Sequence, residues 1–171
     1  GRVIYAGTMS KILYPSLRLG YLLVPEPLAD AVAKLRTAID QHSPTIDQAT
    51  LARFINEGFN LSHVRRIRKV YAERRAFFIE HFNRLLGDRF ILDIADAGSH
   101  ALAWFRFPED LVRLQRMKPD FGVKLSRLSF FCIEAKLPPA LVLGFAAWTP
   151  AQIRDGLSRL TRALDPTSKP K

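Results

Sequence analysis

Apolar residues recur along this chain in two rhythms. Uninterrupted runs at Val3 to Ala6 and Leu19 to Val24, each near a glycine or proline, predict short buried strands. Pro25-Glu26-Pro27 ends the second run. Leu28, Val32 and Leu35 then return on one face and predict a helix from about Leu28 to Ile39. Gln41 to Thr45, with His42 and Pro44, predicts a loop, and Asp47 an N-cap for a helix to Glu57 that Gly58 closes. Val64, Ile67, Tyr71, Phe78, Phe82 and Leu85 form one stripe of a long helix from Ser62 to Leu86, stopped at Gly87. At about 1.5 Å per residue it is roughly 40 Å long, enough to bridge two lobes.

From Arg89 onward strands and helices mix in a smaller unit. Phe90 to Ile94, Ala101 to Phe107 and Leu141 to Ala146 predict strands, and Glu109 to Met117 a helix. Thr149, Pro150 and Gln152 have the spacing of a capping box, ahead of a helix with the stripe Ile153, Leu157, Leu160 and Leu164. Residues 166–171 read as a disordered polar tail.

A hydrophobic content of 48% in 171 residues supports a packed core and argues against disorder. No apolar run reaches the roughly 18 residues of a membrane span, and no signal-peptide pattern opens the chain. Cys132 is the only cysteine, which excludes an internal disulfide and fits a reducing cytoplasm. The excess of 26 Lys+Arg over 16 Asp+Glu favours anionic ligands without identifying a nucleic-acid reader. The densest cluster, Arg65, Arg66, Arg68, Lys69, Arg74 and Arg75, is broken by apolar residues at helical spacing, as on a solvated helix face. His42, His63, His81 and His100 are scattered without ligand spacing, so no metal site is expected. Cys132 reads as a packed small residue, Ser99-His100 as a turn, and Tyr14 and Trp104 as ordinary packing residues.

The candidate chemistry lies between the first two apolar runs, in Gly7-Thr8-Met9-Ser10-Lys11-Ile12-Leu13-Tyr14-Pro15-Ser16-Leu17-Arg18. One amine sits among small hydroxyl and glycine positions, and a guanidinium follows. Lys11 can condense with an aldehyde when neutral, a form that a low-dielectric pocket and a nearby cation both favour. Thr8, Ser10 and turn N–H groups can donate to phosphate oxygens, and the planar fork of Arg18 matches a phosphate. Pyridoxal 5′-phosphate is a cofactor with both groups. The same residues also make a plain polar turn, with Lys11 solvated and Arg18 covering apolar surface.

Gly7 to Lys11 with Arg18-Leu19-Gly20-Tyr21 resembles the lysine segment of fold-type I pyridoxal-phosphate proteins. Among these it is most similar to the aminotransferase-like domain of MocR-type regulators of the GntR family. Asp47 to Ile55, the block His63 to Tyr71 with Glu73-Arg74-Arg75, and Leu143 to Ala147 extend the likeness in the same order. The resemblance implies an α/β fold: the C-terminal part of a fold-type I transferase. Residues 1–46 would end a large cofactor-binding domain, 47–87 connect, and 88–165 form a small α+β domain. It implies pyridoxal 5′-phosphate on Lys11, with Thr8, Ser10 and Arg18 at the phosphate. It further implies an amine or amino-acid ligand, a homodimer, and DNA contact only through an upstream domain.

Gly1 stands where a start methionine is expected, so the chain reads as part of a longer protein. One departure concerns ligand binding: many amino-acid aminotransferases clamp the substrate carboxylate with an arginine where this chain reads Pro138 to Phe145. Arg127 and Arg106 are the candidates to replace it. The alternative to a regulator is an active aminotransferase in which Lys11 moves the proton.

Overall fold

The computed structural model describes residues 2–116 and 122–165, so Met117 and the tail at 166–171 lie outside the described residues. The chain forms two compact units, Gly1–Arg68 and Lys69–Lys171, and the division falls inside its longest helix.

In the first unit, β1 (Tyr5–Thr8) and β2 (Gly20–Leu23) pair antiparallel, with Thr8 opposite Gly20 and Gly7 opposite Tyr21. Two helices follow, α1 (Glu26–Asp40) and α2 (Thr45–Asn56). The first starts earlier than its apolar face predicts, because Pro27 falls in the opening turn, where a missing N–H costs nothing. Asp47 is not the cap of α2. Pro44 takes that position, and Asp47 sits in the first turn, where its charge meets the helix dipole.

The two strands are not buried as their apolar runs predict: every residue of β2 is exposed, and so is most of β1. Among the described residues they pair only with each other, and α1 has no buried residue. Among the described residues of this unit, Leu19 alone is a buried hydrophobic.

The helix α3 (Phe59–Leu86) begins immediately after Gly58, which has a φ of 78°. Beyond it, the second unit holds a four-stranded antiparallel sheet in the order β3-β4-β6-β5. Its strands are β3 (Phe90–Asp93), β4 (His100–Phe105), β5 (Ser126–Arg127) and β6 (Ala140–Gly144). Two helices complete it, α4 (Pro108–Arg116) and α5 (Pro150–Leu164).

Alternation on β4 buries Ala101 and Ala103, and Leu141 of β6 lies opposite Ala103. These meet Phe78, Phe82 and Leu86 of α3, and Ile153, Leu157, Leu160 and Leu164 of α5, in one core. Phe78 stacks on Phe145, and Phe90 packs on both Phe82 and Phe105. Thr149 and Gln152 cap α5 reciprocally, as their spacing predicts, with Pro150 in the first turn.

Charged side chains tie down the edges of this core. Asp110 is buried and takes the Arg89 guanidinium at 2.7 Å. From the arginine-rich block, Arg74 donates to the Ala146 carbonyl, and Arg75 to the Ala95 carbonyl and the Asp96 carboxylate. Both are half-buried clamps, whereas Arg65, Arg66 and Arg68 are exposed as a solvated face requires. Cys132 packs half-buried, its thiol directed at the Leu128 carbonyl.

Candidate functional site

The loop from Met9 to Leu19 joins β1 to β2 and carries three of the four candidate residues, with Thr8 at its base. Its neck is closed by the Met9 N–H donating to the Leu19 carbonyl at 3.0 Å. Ser10 and Arg18 therefore flank one hydrogen bond from opposite arms, although eight positions separate them in sequence. Glycine makes that neck possible. A Cβ on Gly20 would stand 2.8 Å from the Gly7 carbonyl oxygen, and one on Gly7 would enter the Tyr21 ring.

Within the loop, the Ser10 N–H donates to Thr8 Oγ1 at 3.2 Å, the ordinary bond of a hydroxyl-initiated turn. The Leu13 N–H donates to the Met9 carbonyl at 2.9 Å, which folds the chain back around Lys11. A short 3-10 turn at Pro15–Leu17 then ends on Arg18. Arg18 is held left-handed, with φ 51° and ψ 29°, a conformation that costs a residue with a Cβ about 1 kcal/mol. Such strain persists where the surroundings impose it, commonly at binding sites.

Thr8, Lys11 and Arg18 are exposed and Ser10 is half-exposed. Neither the Lys11 amine nor the Arg18 guanidinium has a hydrogen-bond or ion-pair partner among the described residues. The loop itself contains no carboxylate. An amine and a guanidinium without partners among the described residues, on one loop with the Thr8 and Ser10 hydroxyls, are donors suited to a dianionic phosphate beside a carbonyl. On this test the residues fit pyridoxal 5′-phosphate.

Two contacts were not legible in the chain's periodicity. His63, on the first turns of α3, places Nε2 2.8 Å from the Ile12 carbonyl oxygen, next to Lys11 in sequence. Tyr5 and Tyr21 pair across the strands with ring centroids 6.0 Å apart. The hydrogen bond to Tyr5, and then its charge, hold the Tyr21 hydroxyl above the usual tyrosine range.

The other sequence candidates have structural employment. Arg106 Nε donates to the Gly87 and Phe90 carbonyls, and Arg127 lies over the Phe130 ring. Ser99 Oγ bonds its neighbour His100, which opens β4 and is not part of a turn. Trp104 bonds Asp93, and Tyr14 is exposed before the 3-10 turn and is not the packing residue expected. Among the described residues no group of three His, Cys, Asp or Glu side chains is arranged to hold a metal.

The fold is that of fold-type I aminotransferases. The chain superimposes on a kynurenine aminotransferase from Pyrococcus horikoshii with a TM-score of 0.83 at 22% identity, covering 99% of this chain and 42% of that one. For LysN, the α-aminoadipate aminotransferase of Thermus thermophilus, the values are 0.84 at 23% identity, covering 95% and 41%. The model of aminotransferase class I and II matches residues 1–160, and this chain belongs to that family.

Its relatives in sequence include transcriptional regulators. It is 39% identical to the probable rhizopine catabolism regulatory protein MocR of Rhizobium meliloti over 96% of this chain and 33% of that protein. It is 34% identical to the HTH-type regulator TauR of Rhodobacter capsulatus over 96% and 34%. An uncharacterized aminotransferase of Saccharolobus solfataricus is 26% identical over 94% and 40%. The chain spans about a third of the length of the regulators it matches.

Proposed function

We propose that this chain is part of the pyridoxal-phosphate-binding, aminotransferase-like domain of a MocR-type transcriptional regulator. The observation that carries the reading is the β1–β2 loop, where the Lys11 amine and the guanidinium of the strained Arg18 have no hydrogen-bond or ion-pair partner among the described residues. The regulators TauR and MocR, at 34% and 39% identity, favour a regulator over the aminotransferase relative at 26%. Residues 1–46 would then end a large cofactor-binding domain, 47–87 connect, and 88–165 form a small domain. DNA would be read by a helix-turn-helix domain outside these residues, in a cytoplasmic homodimer.

Pyridoxal 5′-phosphate, when bound, supplies an electrophilic carbonyl and an electron-withdrawing ring. The chain's part is to present and hold. Lys11 would offer its amine from the loop, Thr8 and Ser10 would donate hydroxyl hydrogen bonds, and Arg18 would supply a two-pronged donor that Lys would not reproduce. An incoming amine or amino-acid ligand would compete with Lys11, and that exchange would be the signal. In the alternative reading, an active aminotransferase, the freed Lys11 amine would move a proton at the substrate Cα.

The test is borohydride reduction of the full-length protein with pyridoxal phosphate, followed by peptide mapping. The label is expected on Lys11 and absent from Lys11→Ala. Label on another lysine sinks the assignment. Amino-acid turnover in the same preparation would favour the enzyme, and ligand-dependent DNA binding without turnover the regulator.

A further inference from the structure

We propose that His63 is the positioning residue for Lys11: α3 reaches back to grip the carbonyl beside the lysine and so fixes the loop that presents the amine. The inference rests on the reading of Lys11 as the cofactor lysine.

The hydrogen bonding defines the state of the ring. His63 Nε2 is 2.8 Å from the Ile12 carbonyl oxygen, which can only accept, so Nε2 carries the hydrogen. Arg66 Nη2 is 3.2 Å from Nδ1, and a guanidinium can only donate, so Nδ1 is bare. Both ring nitrogens are satisfied in one neutral tautomer, and the ring stands edge-on to Phe54 with centroids 6.2 Å apart. Arg66 and Phe54 therefore orient an imidazole whose N–H is aimed at the loop.

That contact adds a tie from α3 to a loop whose other hydrogen bonds, among the described residues, stay within residues 8–19. The Met9–Leu19 bridge closes the neck, Ser10 bonds Thr8, and Leu13 bonds Met9. None of these three bonds ties the loop to a helix. The Ile12 carbonyl and the Leu13 N–H belong to one peptide unit, so Met9 and His63 hold that unit from its two ends, and His63 is the tie that comes from outside the loop.

Two substitutions in the full-length protein test the proposal. His63→Phe keeps the ring against Phe54 and removes both hydrogen bonds, and His63→Gln returns an N–H donor where Nε2 stood. Pyridoxal-phosphate affinity is read by titration, occupancy by reductive trapping on Lys11, and loop order by hydrogen exchange of residues 9–19 without cofactor. His63→Phe is expected to weaken binding by about 5- to 10-fold, because a loop only partly in the competent shape lowers apparent affinity by that fraction. Exchange should accelerate in residues 9–19 and stay unchanged in α5, and His63→Gln should reverse most of both effects.

Parent-like affinity and exchange in His63→Phe overturn the proposal. So does a change that His63→Gln fails to reverse, since that is the mark of ring packing alone. If the wild type takes up no pyridoxal phosphate, the cofactor reading fails, and exchange of the cofactor-free loop still decides whether His63 anchors it.

Discussion

Arg18 serves two demands that ordinarily fall to different residues. Its backbone is left-handed, which glycine does best, and its side chain is the one planar cation on the loop. The two demands separate by substitution. Arg18→Ala is expected to weaken pyridoxal-phosphate binding by about 2–4 kcal/mol, or about 30- to 1,000-fold, through loss of charge-assisted bonds to a dianion. Arg18→Lys should recover only part, since it restores charge without the fork. Arg18→Gly should lose as much binding as Arg18→Ala yet fold more stably by about 1 kcal/mol, because the left-handed conformation no longer meets a Cβ. Cofactor titration and thermal melts of the three variants check this, and unchanged affinity in Arg18→Ala would make Arg18 a surface residue. Thr8, Ser10, Lys11 and Arg18 are readable together in the sequence because one short loop carries them. His63 is not, since its partner is a backbone carbonyl 51 residues away, and a carbonyl has no sequence signature.

At the scale of elements, the long amphipathic helices declare themselves and the short strands do not. The α5 stripe repeats over several turns and its inward face is legible from period alone, whereas α3 buries Phe78 and Phe82 of its stripe together with His81 and Leu86, which the stripe does not name. The strand β5 has two residues and the 3-10 turn at Leu128–Phe131 has four, too few for any period to show. The runs that became β1 and β2 mislead differently, because an unbroken apolar run announces cover on both faces without naming the cover. The cap of α5 is the most local device in the second unit. Thr149→Ala should lower stability by about 1 kcal/mol, since it orphans the Gln152 N–H and removes the hydroxyl's bond to Gln152 Oε1, while the backbone N–H of residue 149 still donates to that oxygen. Thr149→Ser should cost little. Denaturant unfolding with an unchanged slope checks both. Phe82→Ala empties the centre of the core and should cost about 3–5 kcal/mol by the same measurement.

The whole molecule is uneven in what it buries. Phe82 and Leu164 are 0% exposed in the second unit, whereas Val3, Ile39 and Ile46 of the first are 77%, 71% and 82% exposed. An apolar surface of that extent drives association when nothing covers it, and unpaired strand edges add to the tendency. The isolated chain of 171 residues is therefore expected to self-associate on gel filtration and to bind pyridoxal phosphate far more weakly than the full-length protein. A monodisperse monomer with tight, stoichiometric cofactor would refute this. Local stability should follow the same division. Limited proteolysis should open β1 to α2 first, while the α3–α5 core persists.

The core of the second unit also imposes an order in time. The α5 residues Leu157, Leu160 and Leu164 fill it, and they are the last of its residues in the chain. A ribosome stalled before Leu157 would hold β3, β4 and β6 with one of their two covering helices missing, a sticky nascent chain suited to a chaperone. Once Leu164 has emerged, the same sheet can close in a single step. Synthesis thus delays this unit's folding until α5 is made, however early α3 becomes helical.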